Sequence, residues 1–250
     1  LNSQTPVVDH TVPSGRWTFD AGVTTVFENM LERSIPSYAL MRNLTSELAA
    51  RRINEVPATF PKVVDLGASR GSAIAALKAQ DIKPSAEFWG LEESQPMLDV
   101  MRERFATDRY VFPTHCDLRH VTNNTAYGLS PGGTSVIMSV LTLMFIPMEH
   151  RQRVLQVMYD ALEPGGYFLY VEKILGSSAR MNSILADGYY AMKARNGYTQ
   201  EEIDTKKTSL EGVLVPLTYD MHLSMLKQAG FRHVDTYFRH YNFCGMLAIK

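Results

Sequence analysis

The sequence predicts an α/β protein built on a mostly parallel, seven-stranded sheet with helices on both faces. Three observations predict it. From residue 62 onward, short apolar runs alternate with segments of helical period, the pattern of parallel strands joined by crossover helices. Ser135–Ser139 is almost wholly apolar, as a strand covered on both faces should be. The last two apolar runs, His233–Phe238 and Asn242–Ile249, are too close for a crossover helix. They are expected to pair as an antiparallel hairpin at or beside the sheet edge.

The elements follow in order. The stretch up to about Gly15 is polar and proline-containing, and is expected to be poorly ordered. Trp17–Arg33 reads as a helix, with Val23, Val26, Phe27, Met30 and Leu31 at three- and four-residue spacing. Pro36 interrupts it, and Tyr38–Arg52 reads as a second helix with Leu40, Leu44 and Leu48 on one stripe. Lys62–Gly67 is a buried strand ending in glycine, and Ser72–Ala79 an alanine-rich helix. Ala86–Leu91 is a strand, Pro96–Phe105 a helix, Tyr110–Thr114 a third strand and Ser135–Ser139 a fourth. His150–Leu162 is a helix ended by Pro164-Gly165-Gly166, and Tyr167–Glu172 a fifth strand. Ser178–Gly212 is polar and helical and reads as a lid. Tyr219–Ala229 is a helix that stops at Gly230. The whole chain reads as one domain, with a helical cover over residues 1–55 and a helical lid insertion over residues 176–213.

Composition narrows the function. The chain has 250 residues and a formal net charge of -1, so no field of one sign draws it to nucleic acid or to a membrane. Its longest apolar runs fall far short of the roughly 20 residues of a membrane span. Two cysteines, Cys116 and Cys244, make no disulfide framework and sit in no metal-ligand spacing. Leu1–Arg16 lacks the charged start and apolar stretch of a signal peptide, so a reducing cytoplasm is the expected compartment.

In such sheets, ligands bind beyond the carboxyl ends of the strands, near the switch in strand order. Asp65-Leu66-Gly67-Ala68-Ser69-Arg70-Gly71 runs from the first strand into a helix. Gly67 lets the chain turn sharply, leaving backbone N–H groups open to a flat or charged ligand. The second strand ends in Glu92-Glu93, where a carboxylate can accept from two ribose hydroxyls. The third ends in Cys116-Asp117-Leu118, where a carboxylate can accept from an adenine amine. Each acid alone is as readily a helix cap or a solvated turn. Glycine, Glu and Asp at three consecutive strand ends make a nucleotide-like ligand the stronger reading. Gly67–Gly71 also fits the G-x-S-x-G elbow of hydrolases, with Ser69 as nucleophile and Asp220 and His233 or His240 as partners. That elbow normally follows a central strand preceded by several others, whereas this loop follows the first. His115 and His120 flank Asp117 without a clear third ligand, so no metal site is expected.

These residues carry a resemblance. Asp65–Gly71 resembles the first motif of class I S-adenosylmethionine (SAM)-dependent methyltransferases, whose sheet is Rossmann-like. Leu162-Glu163-Pro164-Gly165-Gly166 resembles the turn before their fifth strand. A closer resemblance covers most of the chain. Trp17-Thr18-Phe19-Asp20, Val26-Phe27, Arg33-Ser34-Ile35-Pro36-Ser37-Tyr38, Asn196-Gly197-Tyr198 and Lys227-Gln228-Ala229-Gly230-Phe231 are similar to carboxy-S-adenosylmethionine synthases. That family makes carboxy-SAM from SAM and prephenate, for modification of a wobble uridine in tRNA. The resemblance implies SAM as cofactor. It implies cofactor contacts from Tyr38, Asp65, Gly67, Ala68, Ser69, Glu92, Glu93, Asp117, Leu118 and Ser139, and a homodimer.

Three departures surround the reacting group. Where the family has an Asn beside the sulfonium, this chain has Ser139 or Val140. Its carboxylate-binding Arg corresponds to Lys207, which keeps the charge but loses the two-pronged grip. Its paired His corresponds to Tyr189-Tyr190. The leading expectation is therefore methyl transfer from SAM to a small-molecule acceptor held by Tyr189, Tyr190, Tyr198 and Lys207, with no direct nucleic-acid partner. Carboxy-SAM synthesis with Lys207 in place of Arg is the alternative, and a non-catalytic SAM-binding protein the second alternative.

Overall fold

The computed structural model describes residues 15–250. The expected poor order of the N-terminal stretch falls on residues 1–14, outside the described residues. Seven strands lie in the order β3-β2-β1-β4-β5-β8-β7. They are β1 (Lys62–Leu66), β2 (Glu87–Glu92), β3 (Val111–His115), β4 (Thr134–Val140), β5 (Leu162–Leu175), β7 (His233–His240) and β8 (Phe243–Ile249). The first five run parallel, and β8 is antiparallel to both β5 and β7, as the short link between the last two runs requires. An eighth strand, β6 (Leu217–Thr218), pairs with the end of β5; two residues show no periodicity in a sequence.

The chain moves outward from β1 through β2 to β3, then crosses back to place β4 on the other side of β1. That reversal opens a crevice above the carboxyl ends of β1 and β4. β5 is far longer than expected, because Leu162 already pairs with Thr134. A register shift between Thr134 and Val136 absorbs the Pro-Gly-Gly segment, in which Gly165 has φ +75.

Helices cover both faces. On one, α5 (Met148–Ala161) and α8 (Tyr219–Ala229) bury Val154, Leu155, Met158 and Leu226 against Phe168 and Tyr170. On the other, α2 (Tyr38–Glu55), α3 (Ser72–Lys78) and α4 (Gln95–Arg104) bury Ala49, Ile53, Ile74, Leu77, Leu98 and Met101 against Val63, Phe88 and Leu169. The fully buried stripe of α2 is Met41, Thr45, Ala49 and Ile53; of the expected leucines, Leu44 and Leu48 are half-buried against the core and Leu40 is exposed. The rotation follows from Tyr38 and Met41 packing against Val171 and Phe243 at the sheet end.

α1 (Ala21–Ser34) begins later than expected. The Asp20 carboxylate accepts from the Val23 N–H at 2.9 Å, a side-chain cap on the first turn. Residues 17–19 instead form a strap. Trp17 N–H donates to the Ser209 carbonyl, and the Ser94 hydroxyl donates to the Phe19 carbonyl. The segment expected to be a lid folds as α6 (Ala179–Arg195) and α7 (Gln200–Ser209). α7 is started by a capping box in which Thr199 and Glu202 satisfy each other's backbone N–H groups. Among the described residues, no helix is long and apolar enough to cross a membrane.

Candidate functional site

A cavity of about 540 Å³ lies above the carboxyl ends of β1, β2, β4 and β5, under the strap, α1 and the lid. Its floor is the loop after β1. Gly67 has φ +63, and a Cβ there would stand 2.5 Å from Thr142 Cγ2. The Thr142 hydroxyl is held in place by donating to the Leu66 carbonyl at 2.8 Å. Ser69 also takes a left-handed conformation, at φ 49.

Glu92 joins this loop to the next. One carboxylate oxygen accepts from the Ser69 N–H at 2.8 Å and the other from the Ser94 N–H at 2.7 Å. A carboxylate oxygen accepts more than one donor, so both keep acceptor capacity toward the cavity. Burial raises the Glu92 pKa, against the backbone N–H bonds that favour its charge. Asp65 is buried, and its Oδ2 has no hydrogen-bond partner. Burial, and then the neighbouring Glu92, push its pKa up to about 8.

A stability consequence follows. Between about pH 4 and pH 8 the unfolded chain releases the Asp65 proton while the folded chain keeps it, so the wild-type fold loses stability as pH rises through that window. Asp65→Asn removes this loss. Without ligand, the variant should melt above wild type by at least about 3 °C at pH 8, the effect of about 1 kcal/mol in a chain of this size. The gain should vanish near pH 4. Thermal melts across that range check it, and equal melting at pH 8 would refute it.

The other expected residues are distributed unevenly. Tyr38, Ala68, Ser69, Glu93 and Leu118 line the cavity. Asp117 does not. Its carboxylate accepts from the backbone N–H and the guanidinium of Arg119, starting the short turn Leu118–His120, while Cys116 and Leu118 face the cavity. Ser139 is fully buried with an unpartnered hydroxyl away from the cavity, because strand alternation turns Val140 there instead. Leu141, with φ 59, follows Val140 on the same wall. Tyr189 lines this cavity and a smaller adjoining one of about 140 Å³, where Tyr190 and Lys207 also lie. Tyr198 lines neither. Its ring packs against Arg33 at 4.1 Å, Lys206 at 4.6 Å and Lys193 at 4.8 Å, and its hydroxyl accepts from Ser34.

Several lining residues went unread in the sequence. Lys173, Lys193 and Lys206 reach the cavity from β5, α6 and α7. Lys193 lies one helical turn after Tyr189, a spacing that places both on one face; Lys173 and Lys206 carried no local signal. Phe19 and Phe145 pack edge-to-face at 5.1 Å under the strap. Behind the wall, fully buried Arg151 donates to the carbonyls of Ile146, Val215 and Met144, and Glu172 accepts from the Leu143 N–H. Among the described residues no histidine lines the cavity, so none of them gives Ser69 a base there for hydrolase chemistry. His222 is buried elsewhere, its Nδ1 bonded to the Tyr170 hydroxyl at 2.9 Å. Among the described residues, no group of three or more His, Cys, Asp or Glu is placed to hold a metal ion.

A family model described as a methyltransferase domain matches residues 63–166. The carboxy-S-adenosyl-L-methionine synthase of Methylococcus capsulatus is 36% identical over 93% of this chain and 93% of its own. That of Pasteurella multocida is 32% identical over 94% of each chain. Among solved structures, human N-acetylserotonin methyltransferase aligns with a TM-score of 0.60 at 15% identity, over 92% of this chain and 55% of that one. Phosphoethanolamine N-methyltransferase 2 of Haemonchus contortus aligns with a TM-score of 0.56 at 14% identity, over 90% of this chain and 60% of that one. At such identities the structural likeness speaks for the fold.

Proposed function

Since the chain belongs to the carboxy-S-adenosyl-L-methionine synthase family, we propose that this SAM-dependent transferase makes carboxy-SAM from SAM and a small carboxylate, prephenate being the first to test. One observation carries the cofactor side of this reading: the Glu92 carboxylate stands at the cavity with acceptor capacity left on both oxygens. The residues present fit SAM. The cavity volume lies in the range of small-molecule sites, ~300–1,000 Å³. Asp65 Oδ2, buried and without a partner, supplies an acceptor beside the glycine loop for an ammonium. Glu92 would hold the ribose hydroxyls, with Met97, Cys116 and Leu118 forming an apolar slot for the adenine. Gly67, Ala68 and Ser69 would bed the methionine part, and Tyr38 would cover it.

When bound, SAM supplies a methyl group made electrophilic, and its C–H bonds acidic, by the attached sulfonium. What this chain adds is alignment and exclusion of water. The strap of residues 17–19, tied to Ser209 and Ser94, closes one side. Tyr189 and the lid close the other. Arg151 and Glu172 hold the wall that carries Val140 and Leu141.

Similarity over nearly the full length to enzymes named carboxy-SAM synthases favours carboxy transfer over the methyl transfer that the departures suggest. Methyl transfer to a small acceptor stands second, favoured by the apolar Val140 where an amide would be expected. Incubation with SAM and prephenate, followed by mass spectrometry of the nucleoside product, tests the proposal. A product heavier than SAM by one carbon dioxide is expected. Recovery of unchanged SAM, or S-adenosylhomocysteine formed with a methylated acceptor, would overturn it.

A further inference from the structure

We propose that the Lys173 ammonium, at the join between the two cavities, is the charge that anchors the anionic end of the second substrate, and that it ties that substrate's affinity to pH. This deepens the reading above and rests on it.

Lys173 lies near the carboxyl end of β5, opposite Phe243 of β8, and lines both the large cavity and the small one. Its ammonium sits 4.7 Å from the centre of the Tyr189 ring and 6.0 Å from that of Phe243. It has neither a hydrogen bond nor an ion pair among the described residues. Ring faces attract a cation weakly compared with a carboxylate, so the charge is left largely uncompensated. The groups that face it do not remedy this. α6 presents Tyr189 and Lys193, α7 presents Lys206, α2 presents Tyr38, and β8 presents only Phe243. Lys207 and Glu211 line the far part of the small cavity. The acids of the large cavity, Asp65, Glu92 and Glu93, belong to β1 and to the end of β2, across β4 from β5. A half-buried, uncompensated ammonium facing open volume is a site for an anion.

Burial lowers the Lys173 pKa to about 8. The ammonium is then fully present well below pH 8 and is lost as pH rises through it. A carboxylate ligand is ionised throughout, and the tyrosines on this wall titrate above the ordinary range. Bound anion should in turn raise the Lys173 pKa. Lys207 lines the small cavity only.

The test measures prephenate binding by calorimetry to protein loaded with S-adenosylhomocysteine, which cannot turn over. Wild type should bind more than about tenfold more weakly at pH 9.5 than at pH 6.5, as follows when a group titrating near 8 must be charged. Lys173→Met should bind at least about tenfold more weakly at pH 6.5 and without pH dependence. Lys173→Arg should restore binding and also be insensitive to pH, because its guanidinium stays charged. A cooperative melt no lower than wild type and unchanged S-adenosylhomocysteine affinity establish that the variants fold. Equal affinity in Lys173→Met and wild type, or a wild-type affinity flat across pH, overturns the proposal. If wild type binds no prephenate at any pH, the carboxy-transfer reading fails separately. The same series with inorganic sulfate then decides: loss in Lys173→Met supports the anion site, and equal binding by wild type and Lys173→Met overturns it.

Discussion

Glu92→Gln should weaken SAM binding by one to two orders of magnitude. The two oxygens of Glu92 accept from the N–H groups of Ser69 and Ser94. A glutamine can present an oxygen to only one of them. Its NH2 must face the other N–H, donor against donor, so one loop is released whichever way the amide turns. A ribose held there would also lose a carboxylate acceptor. A hydrogen bond to a charged group contributes about 1.5–3 kcal/mol, which is roughly a tenfold to hundredfold change in affinity. Calorimetric titration with SAM reads the effect. Glu92→Asp keeps the charge on a shorter arm and should fall between. Wild-type affinity in Glu92→Gln would remove Glu92 from the cofactor site and, with it, the observation that supports the proposed function.

The second large effect concerns the floor of the cavity. Gly67→Ala should lower the melting temperature by about 4–20 °C. Two costs combine. At φ +63 an alanine occupies a left-handed conformation that costs about 1–2 kcal/mol. Its Cβ also meets Thr142 Cγ2 at 2.5 Å and Oγ1 at 2.8 Å, an overpacking of about 1–3 kcal/mol. Each kcal/mol moves the midpoint by roughly 2–4 °C in a chain of this size. Thr142 cannot swing away freely, because its hydroxyl is bonded to the Leu66 carbonyl. Adding Thr142→Ala should recover the overpacking part and leave the conformational part. A double-mutant cycle separates them. If Gly67→Ala melts as wild type, the glycine is not needed for the turn. If the two substitutions show no coupling, Thr142 is not what the new methyl strikes.

Much of this was legible beforehand. The strand alternation, the glycine turn after β1, the acids after β2 and β3 and the closing hairpin are local features. They follow from periods of two and 3.6 residues and from turn chemistry, which neighbouring residues dictate whatever the rest of the chain does. Gly67, Glu92 and Leu118 could be placed at one end of one sheet because parallel strands put their carboxyl ends together.

What local pattern left open was the direction of individual side chains. Leu40, Leu44 and Leu48 form a reasonable apolar stripe, yet α2 rolls to bury Met41, Thr45, Ala49 and Ile53. Asp117 ends a strand facing the right way, yet its carboxylate is taken by Arg119, two residues on. Ser139 and Val140 were equal candidates for one place, and the register of β4 against β1 and β5 gave it to Val140. The buried Arg151 has no sequence signature, because its partners are backbone carbonyls.

The sequence by itself determined the sheet, its crossover helices and the glycine-and-acid end at which a nucleotide-like cofactor is expected, since each depends on residues close in the chain. Only the tertiary structure decided that Lys173, Lys193 and Lys206 meet at one cavity while Lys207 faces its smaller neighbour. Those residues come from a strand and two lid helices. The roll of each about its own axis is set by the surfaces it packs against, which lie far away in sequence.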